Sequence, residues 1–129
     1  MNGWIVLDKP KGISSAAGVA KVRRLFDGAK AGHGGTLDPL ATGILPIALG
    51  QATKVMGYIL DGNKAYRATV IWGESRNTED AEGSLTGTSP QRPDRDAILA
   101  ILPKFTGRLS QQPPSAPAPK CRPQYTSDA

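Results

Sequence analysis

The stretch KAGHGGTLDPLATG, residues 30–43, gathers the chain's one histidine, His33, a single aspartate, Asp38, and four glycines within fourteen positions. Such residues can serve an anionic ligand, a nucleophile or an acid–base step, and each role demands its own spacing. A phosphate-binding loop requires GxxxxGK followed by Ser or Thr, and a dinucleotide-binding turn requires GxGxxG; neither string occurs. Two-carboxylate hydrolysis needs a partner acid, and the nearest in sequence, Asp27 and Asp61, lie in no recognisable motif. A Ser-His-Asp triad fails as well, because His33 and Asp38 sit close together on a glycine-rich run and no serine occupies a nucleophile elbow. What remains is a lone carboxylate on a backbone that a ligand can approach closely. A plain Asp38-Pro39 turn, with His33 as a surface residue, accounts for the same residue types, and pattern leaves both readings open.

The elements that must hold this stretch are legible on both sides. Trp4-Ile5-Val6-Leu7 is an apolar run closed by Asp8-Lys9-Pro10, which reads as a buried strand before a turn. Ser14 or Ser15 can cap a helix through Phe26, with Val19, Val22 and Phe26 on one face and Gly28 as its stop. Residues 30–43 have no usable period, and Gly32, Gly34, Gly35 and Pro39 make them a loop. Residues 44–49 resume as a strand and 51–60 suit a helix.

Residues 64–72 alternate, which makes them the best strand in the chain by pattern. On that pattern Tyr66 shares a face with Ala68, Val70 and Trp72 and reads as a core tyrosine, while Arg67 faces solvent. Residues 75–83 read as an acidic loop containing Asp80, a surface acid by default; 84–88 as a possible strand; and 94–102 as a helix that Asp94 caps. Strands and helices are mixed without a regular repeat, so the fold class is α+β.

Composition narrows the function classes. A chain of 129 residues suits one domain. No apolar run approaches the roughly 20 residues that span a bilayer, and the opening residues do not form a signal peptide, so a cytoplasmic address with no membrane partner is expected. One cysteine, Cys121, and one histidine cannot assemble a nitrogen-and-sulfur zinc site, so no metal is expected. The net charge is +5, and residues 1–67 carry nine Lys/Arg against four Asp/Glu while 68–129 carry seven against seven. A basic half is what phosphate binding calls for, although a solvated basic face gives the same count.

Three strings, GWIVLDKPKGISS, KAGHGGTLDPLATGILPIALGQATK and KAYRATVIWGESRNTEDAEG, closely resemble in order and spacing the N-terminal part of the TruB family of bacterial tRNA pseudouridine synthases. The resemblance spans about residues 3–116. It implies an α+β pseudouridine synthase fold, with a mixed, mainly antiparallel sheet and flanking helices, here incomplete. It also implies isomerisation of uridine 55 in the tRNA T loop, with the T stem-loop as partner and no cofactor. Asp38 matches the family's catalytic aspartate, and Tyr66 the tyrosine that stacks on the flipped uracil and is a candidate base for the C5 proton. His33 matches the histidine that fills the gap left by the extruded base. Substrate contact is implied at Gly34, Gly35, Thr36, Lys64 and Arg67, with Lys9 and Pro10 as a motif beneath the site. Asp80 matches an acid that pairs with an active-site arginine in relatives. Extrusion costs a few kcal/mol, which aromatic stacking and basic backbone contacts can offset.

The resemblance to the family's pattern ends at QQPPSA, and the following residues hold many prolines and few large apolar side chains. The expected organisation is therefore a partial catalytic domain over residues 1–112 and a divergent tail over 113–129, disordered or loosely held. A frameshifted or prematurely terminated reading is one expectation that follows, with little or no synthase activity in the chain as it stands. The alternative to a TruB-type enzyme is a non-catalytic RNA-binding remnant of the same family.

Overall fold

The computed structural model describes residues 1–110, and two compact units, Met1–Ala65 and Tyr66–Ala129, divide the chain. The expected boundary near residue 112 and the tail beyond it lie outside the described residues.

The first unit is built on β3 (Gly43–Leu49), the middle strand of an antiparallel sheet with β1 (Gly3–Lys9) on one side and β2 (Ala31–His33) on the other. Gly3 pairs with Leu49 and Lys9 with Gly43, while Ala31 to His33 pair with Leu49 to Ile47. β1 alternates between exposed and inward-facing residues, as a strand with one face on a core must. β3 buries Leu45, Ile47, Ala48 and Leu49 and so reads as a continuous apolar run. Pro46 stands in this middle strand, where a missing N–H is usually costly. β2 is short enough to accommodate it: the paired stretch ends at Ile47, and the Pro46 carbonyl still accepts from Gly34 N–H at 2.8 Å.

The helix α1 (Ser15–Leu25) lies on this sheet. Ser14 is the residue that caps it, its hydroxyl accepting from Ala17 N–H at 3.1 Å, which leaves the hydroxyl of Ser15 for another use. Val22 is buried, and Val19 and Phe26 pack against the cluster of Leu45, Ile47 and Leu49. Gly18 allows the close approach: a Cβ there would lie 3.0 Å from Leu7 Cδ2. The helix stops where Gly28, at φ 74°, donates back to the Arg23 carbonyl.

Two expectations for this unit are corrected. Residues 31–33 are not loop but the edge strand β2, because a three-residue edge tolerates glycine and Gly32 needs only to pair with Ala48. The helix over 51–60 is a 3₁₀ segment (Gly50–Val55) followed by a short α2 (Met56–Leu60). The Thr53 hydroxyl donates to the Gly50 carbonyl at 2.8 Å, a local bond that competes with regular α-helical pairing in the first turns.

In the second unit, β4 (Glu74–Arg76) and β5 (Leu85–Thr88) form an antiparallel hairpin with a bulge between Ser75 and Arg76. Ser75 and Arg76 were expected in the acidic loop and belong instead to a strand, since Asn77 and Ser84 bond reciprocally and carry the pairing to the loop's mouth. α3 (Arg95–Ile101) begins at Asp94, whose carboxylate accepts from Ala97 N–H at 2.8 Å, and passes into a 3₁₀ turn (Leu102–Phe105).

The largest correction concerns residues 64–72, which form no strand. Alternation describes which way side chains would point; a strand also requires a hydrogen-bonded neighbour, and none among the described residues pairs with this segment. Nor is there a covering layer: Tyr66 is 65% exposed, and Val70, Ile71 and Trp72 are exposed as well, so Tyr66 is not a core residue here. Every buried apolar side chain among the described residues belongs to the first unit. Ile47→Ala, in the fully buried middle strand, should therefore lower unfolding free energy by about 2–5 kcal/mol in urea titrations, whereas exposed Val70→Ala should change it by less than about 0.5 kcal/mol.

Candidate active site

Asp38 lies in the connection between β2 and β3, residues 34–42, and it is exposed. Both of its neighbours are tethered. The Ser15 hydroxyl accepts from Leu37 N–H at 2.9 Å and donates to the Leu37 carbonyl at 3.0 Å. On the other side, Gly12 N–H donates to the Pro39 carbonyl at 2.7 Å. The Asp38 carbonyl accepts from Ala41 N–H at 3.0 Å, closing a turn that Pro39 favours. The carboxylate itself enters no hydrogen bond or ion pair among the described residues.

Lys9 anchors the segment that supplies these tethers. It is fully buried at the end of β1, and its ammonium donates to the carbonyls of Pro10, at 3.1 Å, and Ile13, at 2.8 Å. A buried charge is tolerable only with such partners. Its place is therefore internal, tying down the turn that holds Gly12, while Pro10 beside it is exposed.

His33 ends β2 opposite Ile47, and its Nδ1 donates to the Gly35 carbonyl. A carbonyl can only accept, so the proton resides on Nδ1 and Nε2 is the nitrogen left for a ligand. Gly35 adopts φ 113°, a conformation side chains disfavour, and a Cβ there would lie 3.9 Å from Lys64 Cε. Lys64 is in turn fixed by the Leu60 carbonyl at 2.5 Å and the Gly62 carbonyl at 2.8 Å. Thr36 is half-buried between Gly35 and Leu37.

Gly34 alters the reading of the glycine-rich run. It is buried, and a Cβ on it would lie 2.6 Å from Ile59 Cγ2 and 2.9 Å from Met56 Sδ. Its lack of a side chain serves packing against α2 and leaves no space for a ligand. Only Gly35, among the central glycines, is required by backbone conformation.

The first unit thus brings together Lys9, Pro10, His33, Gly34, Gly35, Thr36, Asp38 and Lys64. Tyr66, Arg67 and Asp80 belong to the second unit, where Tyr66 and Arg67 are exposed. Asp80 organises the hairpin loop: its Oδ1 accepts from the Thr78 hydroxyl at 2.6 Å, Glu82 N–H at 2.9 Å and Gly83 N–H at 3.1 Å. The Thr78 bond, followed by those backbone donors and nearby Arg76, holds its carboxyl below the usual aspartate range despite some opposition from desolvation. Arg76 pairs with Glu74 at 2.7 Å and donates to the Gly83 carbonyl at 2.8 Å. Sequence reasoning missed Ser15 and Gly12 as parts of the site. The signal available was the pair Ser14-Ser15, since one helix needs only one cap.

A three-stranded antiparallel sheet with a helix across it resembles part of two solved structures. A chain from an H/ACA ribonucleoprotein bound to a substrate RNA containing 2′-deoxyuridine matches with a TM-score of 0.56 and 28% identity, over 86% of this chain and 30% of that one. A chain from a Cbf5-Nop10-Gar1 complex matches with a TM-score of 0.58 and 30% identity, over 93% of this chain and 31% of that one. The fold is that of a pseudouridine synthase, present in part.

The particular family follows from sequence. Residues 23–127 match the TruB family pseudouridylate synthase (N terminal domain) model, and the chain belongs to that family. The tRNA pseudouridine synthase B of Brucella ovis is 55% identical over 120 residues, 93% of this chain and 37% of that protein. That of Bradyrhizobium diazoefficiens is 54% identical over 128 residues, 99% of this chain and 37% of that protein. The chain therefore spans about 37% of the length of these curated relatives. The family match runs to residue 127, beyond residue 116 where the quoted strings end. No helix among the described residues is long and apolar enough to cross a membrane.

Two measurements check this geometry. Gly34→Ala should destabilise the first unit by about 1–3 kcal/mol, and Ile59→Ala added to it should recover part of that loss in a double-mutant cycle. Asp80 has a depressed folded-state value, so its contribution to hairpin order is present above the ordinary aspartate range and lost as pH falls through the lower, folded value. The Glu82 and Gly83 amide resonances should hold steady at neutral pH and move together only below about 3.9, and Asp80→Asn should remove that transition.

Proposed function

We propose that the protein to which these residues belong isomerises uridine to pseudouridine at position 55 in the T loop of tRNA, with Asp38 as the reacting carboxylate. The observation that carries this reading is the exposed, unpartnered carboxylate of Asp38 between two tethered peptides, in a chain of the TruB family. A group that acts on a nucleoside must be reachable and must not move when the substrate arrives.

Nothing in the reaction calls for a redox change or an added atom. The N1–C1′ bond breaks, the uracil turns, C5 bonds to C1′, the C5 proton leaves and N1 takes up a proton from solvent, so the product has the same atoms as the substrate. The base must first leave the RNA stack. His33, held through Nδ1 with Nε2 free of that bond, is the candidate for the space the base vacates. Tyr66, exposed in the second unit, is the candidate ring for stacking on the flipped uracil and for receiving the C5 proton. Gly35, Thr36, Lys64 and Arg67 are the proposed contacts to the RNA, with the Lys64 side chain passing beside Gly35 at its Cε. Lys9 contributes as internal support, and Gly34 as the close-packing point beneath the loop. Asp80 is proposed to orient an arginine of the site through its second carboxylate oxygen, its first being engaged in the hairpin loop. The organisation proposed is a catalytic-domain portion over residues 1–112 with the remainder as a divergent tail. The surplus of basic residues in 1–67 fits a phosphate-bearing partner.

A second reading, RNA binding without turnover, is favoured by the unpaired segment 64–72, which leaves Tyr66 without a strand to hold it. Tritium release from T stem-loop RNA carrying 5-tritiated uridine separates the two. Under the first reading the release is site-specific and Asp38→Asn lowers it by at least about 10³-fold while RNA affinity stays within about twofold. Salt-dependent binding with no release from the unaltered chain supports the second.

A further inference from the structure

We propose that Ser15 is a positioning residue for Asp38: its hydroxyl, acting on both polar groups of Leu37, fixes the direction in which the Asp38 side chain leaves the backbone. The inference rests on Asp38 being the reacting carboxylate.

Ser15 stands at the first turn of α1 and is only 3% exposed. A buried serine there would ordinarily serve as a cap or bond within its own turn. Capping is already done by Ser14, whose hydroxyl accepts from Ala17 N–H. The Ser15 hydroxyl instead reaches 22 residues along the chain and closes a two-point clasp, accepting from Leu37 N–H at 2.9 Å and donating to the Leu37 carbonyl at 3.0 Å. One donor and one acceptor on the same oxygen fix both the position and the rotation of the Leu37 residue. The Leu37 carbonyl belongs to the peptide that carries Asp38 N–H, so the clasp sets the plane from which the Asp38 side chain projects.

The same segment reaches the other side of Asp38 through Gly12 N–H and the Pro39 carbonyl, at 2.7 Å. Lys9, through the Pro10 and Ile13 carbonyls, fixes the turn from which Gly12 and Ser15 both emerge. Leu37 also packs against the cluster of Val22, Leu45, Ile47 and Leu49, so the clasp has an apolar floor. The carboxylate has no bond of its own to hold it, and its direction must come from these neighbours.

Nuclear magnetic resonance on the full chain tests this without requiring turnover. In the unaltered protein the Leu37 amide should be protected from exchange, with Leu37 and Asp38 amide order parameters near 0.85. In Ser15→Ala, Leu37 exchange should rise about tenfold or more and the two order parameters should fall below about 0.6, and the Asp38 Cα–Cβ residual dipolar coupling should shrink. The amides of Ile5 and Ile47 should stay protected, which separates loss of position from loss of fold. Ser15→Thr retains the hydroxyl and should restore Leu37 protection and the Asp38 coupling. An unprotected Leu37 amide in the unaltered chain overturns the proposal, as does an Asp38 coupling unchanged by Ser15→Ala. If Ser15→Ala does not fold, a folded Ser15→Thr with Leu37 unprotected overturns it equally. Asp38→Asn should leave the clasp intact; loss or survival of isomerisation in that variant bears on the catalytic reading alone.

Discussion

The burial of β3 between two hydrogen-bonded neighbours is the constraint on which the first unit depends. Leu45, Ile47 and Leu49 give α1 and β1 something to pack against, and the strand's pairing with β1 and β2 fixes where the chain must leave and re-enter the sheet. Residues 34–42 are the link that results. Because their two ends are set by ladders, the only freedom left is in the middle, and that middle carries Asp38. Lys9, Gly12 and Ser15 then remove most of the remaining freedom with hydrogen bonds to backbone atoms. These bonds involve peptide groups, so they restrain the loop without occupying the carboxylate.

Such an arrangement separates rigidity from reactivity. A carboxylate oxygen held by hydrogen bonds is not free for other chemistry, as with the Asp80 Oδ1 that takes three donors in the hairpin loop. Asp38 is the opposite case, with a tethered backbone and an open side chain. His33 follows the same logic, since one ring nitrogen is bound to the Gly35 carbonyl and the other is left for a ligand. The backbone on either side of Asp38 and the ring of His33 are thus restrained before any ligand arrives, which lowers the ordering cost of binding.

What could be read from the sequence follows the range of the forces involved. β1, α1, β3 and α3 are legible because their signals are local: apolar runs, a serine or aspartate at the helix start, glycine at the stop. The Asp38 loop and His33 stand out by composition and by the ordered resemblance. Pairing is not local, and that is where pattern failed. Residues 64–72 alternate well yet form no strand, because a strand is defined by a partner that alternation cannot supply. β2 was hidden for the converse reason, its glycine masking a pairing that β3 imposes. Ser15 could not be assigned to Leu37 because the two are 22 positions apart and neither forms a motif. Gly34 was legible as a glycine but not as a packing point, since Ile59 and Met56 come from α2.

The proposed function makes the tethered loop carrying Asp38 the surface that meets RNA. Titration of unlabelled tRNA T stem-loop into the ¹⁵N-labelled chain tests it most directly. The largest amide shifts are expected at His33, Gly35, Thr36 and Asp38, weakening with added salt while the Ile5 and Ile47 amides stay in place. Shifts confined to other parts of the chain, with those four amides unmoved at saturation, would contradict it.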